Sequence, residues 1–195
     1  MNFLAHFHLA WPDEGLVAGG LEGDYYKGPL RNDIHADIAR GVQLHRAIDA
    51  YTDAHPVLLR LRRQMPPPLR RFAGILIDLS FDHFLCVHWS QFSQERADSF
   101  NRDVYAILQR RQYHISNGAQ KMMQRIIDHD LLALYRQWHT VGRSAQRIGE
   151  RFQRGNPFND IETALAPLQT SIEKAFLEFY PDLQVFSERK RQTLL

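Results

Sequence analysis

Apolar residues in this chain recur mostly three and four positions apart, turn dipeptides are sparse, and no series of short alternating segments suggests a hairpin array. The spacing predicts an all-α protein. A short first helix is expected over about Asn2 to Ala10, and Pro12-Asp13 opens a second that fades in the glycine-bearing segment from Gly19 to Asp24. Asn32 or Asp33 is placed to cap a long helix running through Tyr51 to Ala54, which Pro56 interrupts. After the Pro66-Pro67-Pro68 break comes the most apolar helix, Leu69 to about Phe92, followed by an amphipathic one from Glu95 to Arg111. Asn117-Gly118 restarts the pattern through Leu134, a further helix spans about Arg143 to Phe152, and Arg154 to Asp160 reads as a loop. The last helix is expected to end near Tyr180-Pro181, leaving residues 182–195 as a frayed basic tail.

The polar exceptions within this pattern carry the chemistry. Asp78 and Asp82 stand four apart in the apolar run Gly74 to Leu85, so they share a helix face, and burying both carboxylates is unfavourable unless a proton or a cation lies between them. Upstream, His45, Asp49 and Asp53 also step by four along a second predicted helix. Two such stripes suggest one metal site. With no Cys ligands available, imidazole and carboxylate would bind manganese, iron or zinc, or magnesium if carboxylates and water dominate. Asp24 at a helix end and His6 or His8 on the first helix are further candidates, while His83, rotated by about 100° from Asp82, reaches the same place only from the edge.

Composition narrows the setting. A length of 195 residues suits one domain, and 44% hydrophobic with 24% charged residues is ordinary for a globular protein. No uninterrupted apolar stretch reaches the ~18 residues of a membrane span, and the N-terminus lacks the pattern of an export signal, so a cytoplasmic, membrane-free protein is expected. The formal charge of +2 gives no argument for nucleic acid. The one cysteine, Cys86, sits in Phe-Leu-Cys-Val and reads as a small buried hydrophobe. Phe81, Phe84 and Trp89 are expected in the core, with Trp89 or Tyr25 as alternatives for lining a channel. Arginines cluster around the proline break, where Arg60, Arg62, Arg63, Arg70 and Arg71 would suit an acidic partner or simply form a solvated face.

Several of these segments resemble the acyl carrier protein phosphodiesterases. The resemblance rests on the opening Met1-Asn2-Phe3-Leu4-Ala5-His6-Phe7-His8-Leu9-Ala10, on Gly23-Asp24-Tyr25-Tyr26-Lys27-Gly28, on Leu44-His45-Arg46-Ala47-Ile48-Asp49 with Thr52-Asp53, and on Asp82-His83-Phe84-Leu85 followed by His88-Trp89-Ser90. It covers the first 92 residues in motif detail and the remainder by length, helical texture and Phe179-Tyr180-Pro181. It implies a single helical bundle over residues 1–195, similar to a distorted form of the metal-dependent phosphohydrolase domain known for its His-Asp pair, here reversed as Asp82-His83. The implied reaction is release of 4'-phosphopantetheine from holo acyl carrier protein, with manganese as activator and magnesium or iron as substitutes. Glu22, Tyr25 and Tyr26 make the Asp24 segment more polar and aromatic than the family pattern, and the loop after Arg154 is unusually polar.

On this reading Asp24, His45, Asp49 and Asp78 hold a divalent ion that activates water for attack on phosphorus, with Asp53 and Asp82 as additional or supporting acids. His6 or His83 is the expected proton donor to the departing serine oxygen, and Arg46 or Lys27 steadies the phosphoryl oxygens. Arg62, Arg63, Arg70 and Arg71 are the expected docking face for the acidic carrier protein. Three other readings stay open: a nucleotide phosphohydrolase of the same superfamily, a di-iron carboxylate oxidoreductase, which wants Glu where this chain offers Asp, and a non-enzymatic helical module whose acids are paired with neighbouring arginines.

Overall fold

The computed structural model describes residues 1–30, 34–153 and 155–194, and among these it contains helices and no strand. The first is α1 (Phe3–Ala10), whose own N-cap residue, Asn2, makes no capping bond. A helix start buried without acceptors would leave N–H groups unsatisfied. They are capped from elsewhere: the carboxylate of Asp82, on α5 (Ala73–Val87), accepts from Leu4 N at 2.9 Å and Ala5 N at 3.1 Å. α5 is the apolar centre of the molecule, with Leu76, Phe81 and Leu85 fully buried, so this one carboxylate fastens the N-terminal helix to the core.

α2 (Glu14–Glu22) starts at Asp13, whose Oδ1 accepts from Leu16 N at 2.9 Å. The helix ends at Glu22, inside the Gly19 to Asp24 segment where it is expected to fade, but it passes through Gly19-Gly20 first. The reason is tertiary: α2 lies directly against α3 (Ala36–Ala54), and a Cβ on Gly19 would fall 2.5 Å from the Ile38 carbonyl oxygen and 2.6 Å from Gly41 Cα. Close backbone approach repays the poor helix propensity of glycine here. The expected cap at Asn32 or Asp33 lies outside the described residues, and α3 begins after His35.

α4 (Pro56–Gln64) takes Pro56 at its first turn, where a missing N–H costs nothing. The proline run then forms a 3-10 turn over Pro67–Phe72 before α5, and a break at His88 separates the short α6 (Trp89–Phe92). α7 (Ala97–Arg111) and α8 (Asn117–Asp128) follow as the pattern predicts, with Ser116 capping α8. The single helix expected through Leu134 is interrupted at Asp130, a left-handed residue with φ 46°, and resumes as α9 (Leu131–Leu134). α10 (His139–Gly149) and α11 (Ile161–Leu165) flank the loop foreseen after residue 153, Arg154 itself lying outside the described residues.

The final element corrects an expectation. α12 (Gln169–Leu194) does not stop at Pro181 but passes through it. Its segment after the proline is packed rather than frayed: Leu183 and Ser187 are buried, Tyr51 stacks on Phe186 with centroids 4.2 Å apart, and Arg191 Nη1 donates to the Trp11 carbonyl at 2.7 Å. Those contacts hold the helix where proline removes one bond. Among the described residues no helix is long and apolar enough to cross a membrane.

Two expectations follow from this packing. Gly19→Ala should lower stability by ~1–3 kcal/mol in a urea titration, because backbone rather than a flexible side chain stands in the way. Gly20→Ala, whose Cβ would meet only His6 Cβ at 3.8 Å, should be neutral or stabilise by up to ~1 kcal/mol.

Asp82 gives a pH dependence. Burial pushes its carboxyl up to about 7, against the two backbone N–H bonds that favour its charge. The folded state therefore binds this proton more tightly than the unfolded chain. Its contribution to stability falls as pH rises from the unfolded value of about 4 through about 7, at ~1.4 kcal/mol per pH unit at most. Urea midpoints of metal-free protein at about pH 4.5 and 7.5 should show that slope reduced in Asp82→Asn; equal slopes in parent and variant would remove the assignment.

Candidate metal centre

α1 and α3 meet at two histidines. The rings of His6 and His45 stack with centroids 4.0 Å apart and an interplanar angle of 17°. Asp49, one helical turn after His45, reaches both: its Oδ1 lies 3.2 Å from His6 Nε2 and its Oδ2 lies 3.1 Å from His45 Nε2. Gly23 makes room for this, since a Cβ at that position would stand 2.3 Å from the His45 ring. One ligand atom each from His6, His45 and Asp49 lies within 4.8 Å of the others.

The donors fit a cation. His6 Nδ1, His6 Nε2 and His45 Nδ1 are buried and lack a hydrogen-bond partner of acceptable geometry, an arrangement that costs free energy unless something accepts the lone pairs. Burial, and then the neighbouring His45 ring, lower the His6 pKa to about 3, so at neutral pH its imidazole offers a lone pair. Burial raises the Asp49 carboxyl, but its contacts with His45 and His6 outweigh that and hold it below the usual carboxylate range. Imidazole and carboxylate together are a donor set for manganese, iron or zinc.

The charge around the trio has a second feature, which no periodicity signals. The α-amino group of Met1 is buried between Asp49 Oδ1 at 3.1 Å and Asp78 Oδ1 at 3.2 Å. Burial alone would lower its pKa, yet the charges of Asp78 and Asp49 prevail and raise it to about 11. Asp24, half-exposed at the far side, places Oδ1 3.8 Å from His45 Nε2, and burial holds its carboxyl above the ordinary value. When ionised, Asp24, Asp49 and Asp78 face one ammonium, an excess of two negative charges.

The other residues singled out in the sequence have different surroundings. Asp82 faces the α1 backbone, and the exposed Asp53 pairs with Arg62. His83 Nδ1 contacts the Tyr135 carbonyl at 2.8 Å and its ring packs edge-on to Trp138, away from the trio. His8 is enclosed by Tyr180, Trp89 and Phe100. Arg46 donates to the Tyr26 carbonyl at 2.8 Å and, with Lys27, lines the shallow pocket that opens over His45 and Asp49. Within the arginine stripe, Arg70 donates to the Met65 carbonyl and Arg71 lies over the Phe72 ring. Trp89 is buried, with Nε1 bonded to the Glu95 carbonyl, whereas Tyr25 lines a large cavity beside Asp24. Burial also pushes the Cys86 thiol up to about 12.

Comparison with known proteins agrees with the motifs. The family model described as acyl carrier protein phosphodiesterase matches residues 1–183. A protein of that name from Klebsiella pneumoniae subsp. pneumoniae is 31% identical over 98% of this chain and all of its own length. One from Escherichia coli O157:H7 is 30% identical over 97% of this chain and 99% of its own, and one from Photorhabdus laumondii subsp. laumondii is 27% identical over 97% and 96%. No solved structure matches the chain. The match over nearly the whole length, together with a centre built from the opening decapeptide and the His45–Asp49 segment, makes this chain a member of the acyl carrier protein phosphodiesterase family.

Proposed function

We propose that this protein is a divalent-metal-dependent phosphodiesterase that releases 4'-phosphopantetheine from holo acyl carrier protein and leaves the apo form, with Mn2+ as the activating ion and Mg2+ or Fe2+ as alternatives. The observation that carries this reading is the trio of His6, His45 and Asp49, in which the buried Nδ1 atoms of both imidazoles lack a hydrogen-bond partner, with His45 and Asp49 lining an open pocket. His6, His45 and Asp49 would hold the ion, with Asp24 and Asp78 closing the set. When bound, the ion supplies Lewis-acid chemistry for hydrolysis of a phosphodiester.

The chain's own residues do the rest. Asp49 bridges the two rings and fixes their orientation. Lys27 and Arg46 on the pocket wall offset the negative charge of an arriving diester and meet its non-bridging oxygens as charge builds on them. Water adds to phosphorus, the bond from phosphorus to the serine oxygen breaks, and a proton goes to that oxygen. Because His6 is held neutral, it suits a ligand better than the proton donor foreseen for it. Burial holds the Asp24 carboxyl at the mouth above its ordinary value, while the neighbouring His45 favours its ionised form, the form in which it would close the ligand set.

Mass spectrometry of holo carrier protein should register conversion to the apo form with manganese and none with a chelator, while a mononucleotide panel stays intact. Asp49→Asn and His45→Asn should each lower turnover more than ~100-fold and reduce metal retained after dialysis. Full turnover in both variants, with unchanged metal content, would refute the centre.

A further inference from the structure

A cavity of about 820 Å³ adjoins the centre and shares Asp24 with its pocket. One wall is the beginning of α1, and the floor is apolar, with Leu79, Met122 and Leu131. The opposite wall comes from the second half of the chain and carries three guanidinium groups: Arg125 on α8, Arg147 on α10 and Arg151 just beyond it. Some exposed arginines elsewhere sit on carboxylates, as Arg60 does on Glu178, Arg110 on Glu14 and Arg136 on Asp98, and others among the described residues, such as Arg63 and Arg96, do not, but Arg125, Arg147 and Arg151 share one cavity. Among the described residues no ion pair engages Arg125, Arg147 or Arg151. Glu150 and Asp24, which line the same cavity, offset two of the three charges when ionised.

Arg151 and Arg125 lie close enough to Tyr25, the residue after Asp24, to favour the ionised form of its hydroxyl, although burial and Asp24 outweigh them. Tyr25 is fixed in turn, because a Cβ on Gly118 at the start of α8 would lie 2.6 Å from its ring. Glu22 ties the same junction by accepting from Ser116 N at 2.8 Å. A concave wall concentrates the field of such charges and attracts anions into the groove. An uncharged ligand would leave the three cations without use, whereas a single small anion would leave the apolar floor uncovered.

We propose that this cavity is a docking groove for an acidic amphipathic helix of the carrier protein, whose carboxylates meet Arg125, Arg147 and Arg151 while its apolar side chains cover Leu79, Met122 and Leu131. This rests on the substrate reading above and places the macromolecular contact on the second half of the chain. It differs from the stripe at Arg62 to Arg71, where Arg62 is already paired with Asp53. Docking in the groove brings the modified serine to Asp24, at the boundary of the two pockets.

The test uses the full chain and apo carrier protein, which can bind but has no diester to lose. Fluorescence anisotropy should show salt-sensitive binding that weakens ~10-fold at low salt in Arg125→Gln/Arg147→Gln/Arg151→Gln, with a flatter salt dependence. Helix content by circular dichroism and turnover of bis(4-nitrophenyl) phosphate by the manganese-loaded enzyme should stay at parent values. The groove is overturned if the triple variant binds apo carrier protein as the parent does, or if the loss appears only in Arg62→Gln/Arg63→Gln/Arg70→Gln/Arg71→Gln. It is equally overturned if only inhibition by free 4'-phosphopantetheine is lost, since the arginines would then hold a phosphate. Binding of apo carrier protein without hydrolysis of the holo form would sink the proposed activity and leave the groove standing.

Discussion

The insertion of one carboxylate into the start of a helix organises the structure. Asp82 is completely enclosed, and it tolerates that position because Leu4 and Ala5 present N–H groups that would themselves be unsatisfied without it. The pairing sets the height of α1 against α5. It thereby places His6, on α1, opposite His45 and Asp49 on α3, and places Met1 within reach of Asp78, one turn before Asp82 on α5. A slip of α1 by one residue would rotate His6 by about 100° and dissolve the trio. The centre inherits its geometry from a bond in which it takes no part.

Opposed effects balance at the centre itself. Burial disfavours charge on every group, yet Asp49 is held ionised by its imidazole contacts and Met1 is held protonated by two carboxylates, while His6 gives up its charge. What results is a pocket in which Lys27 and Arg46 stand on the same wall as the carboxylates of Asp24 and Asp49. Cations beside the ligands suit a substrate of the same sign as those ligands.

Much of this could be read from residue spacing. Helical periodicity located most elements, and four-residue steps of acids and histidines on apolar helices pointed to His45, Asp49 and Asp78, all of which lie around the centre. Spacing failed where a local rule was overruled by packing: Pro181 is carried inside α12 by neighbours on both sides of it. Gly19 of α2, helix-weakening by propensity, is required by contact with α3. Asp82 shares a face with Asp78 as predicted, but a helix start supplied the compensation that a cation would have given. The α-amino group of Met1 and the arginines of α8 and α10 belong to no repeating pattern. Their roles come from where distant segments meet, and one chain read in order does not contain that information.

The long last helix has a temporal meaning. Arg191 reaches the carbonyl of Trp11 across a sequence separation of 180 residues, and α12 lies against both α1 and α3, the two helices that bring the histidines together. Contacts so distant in sequence are slow to form. During synthesis every donor of the centre is made before residues 169–194, so the order of translation sets the donors in the chain ahead of the brace that packs across α1 and α3.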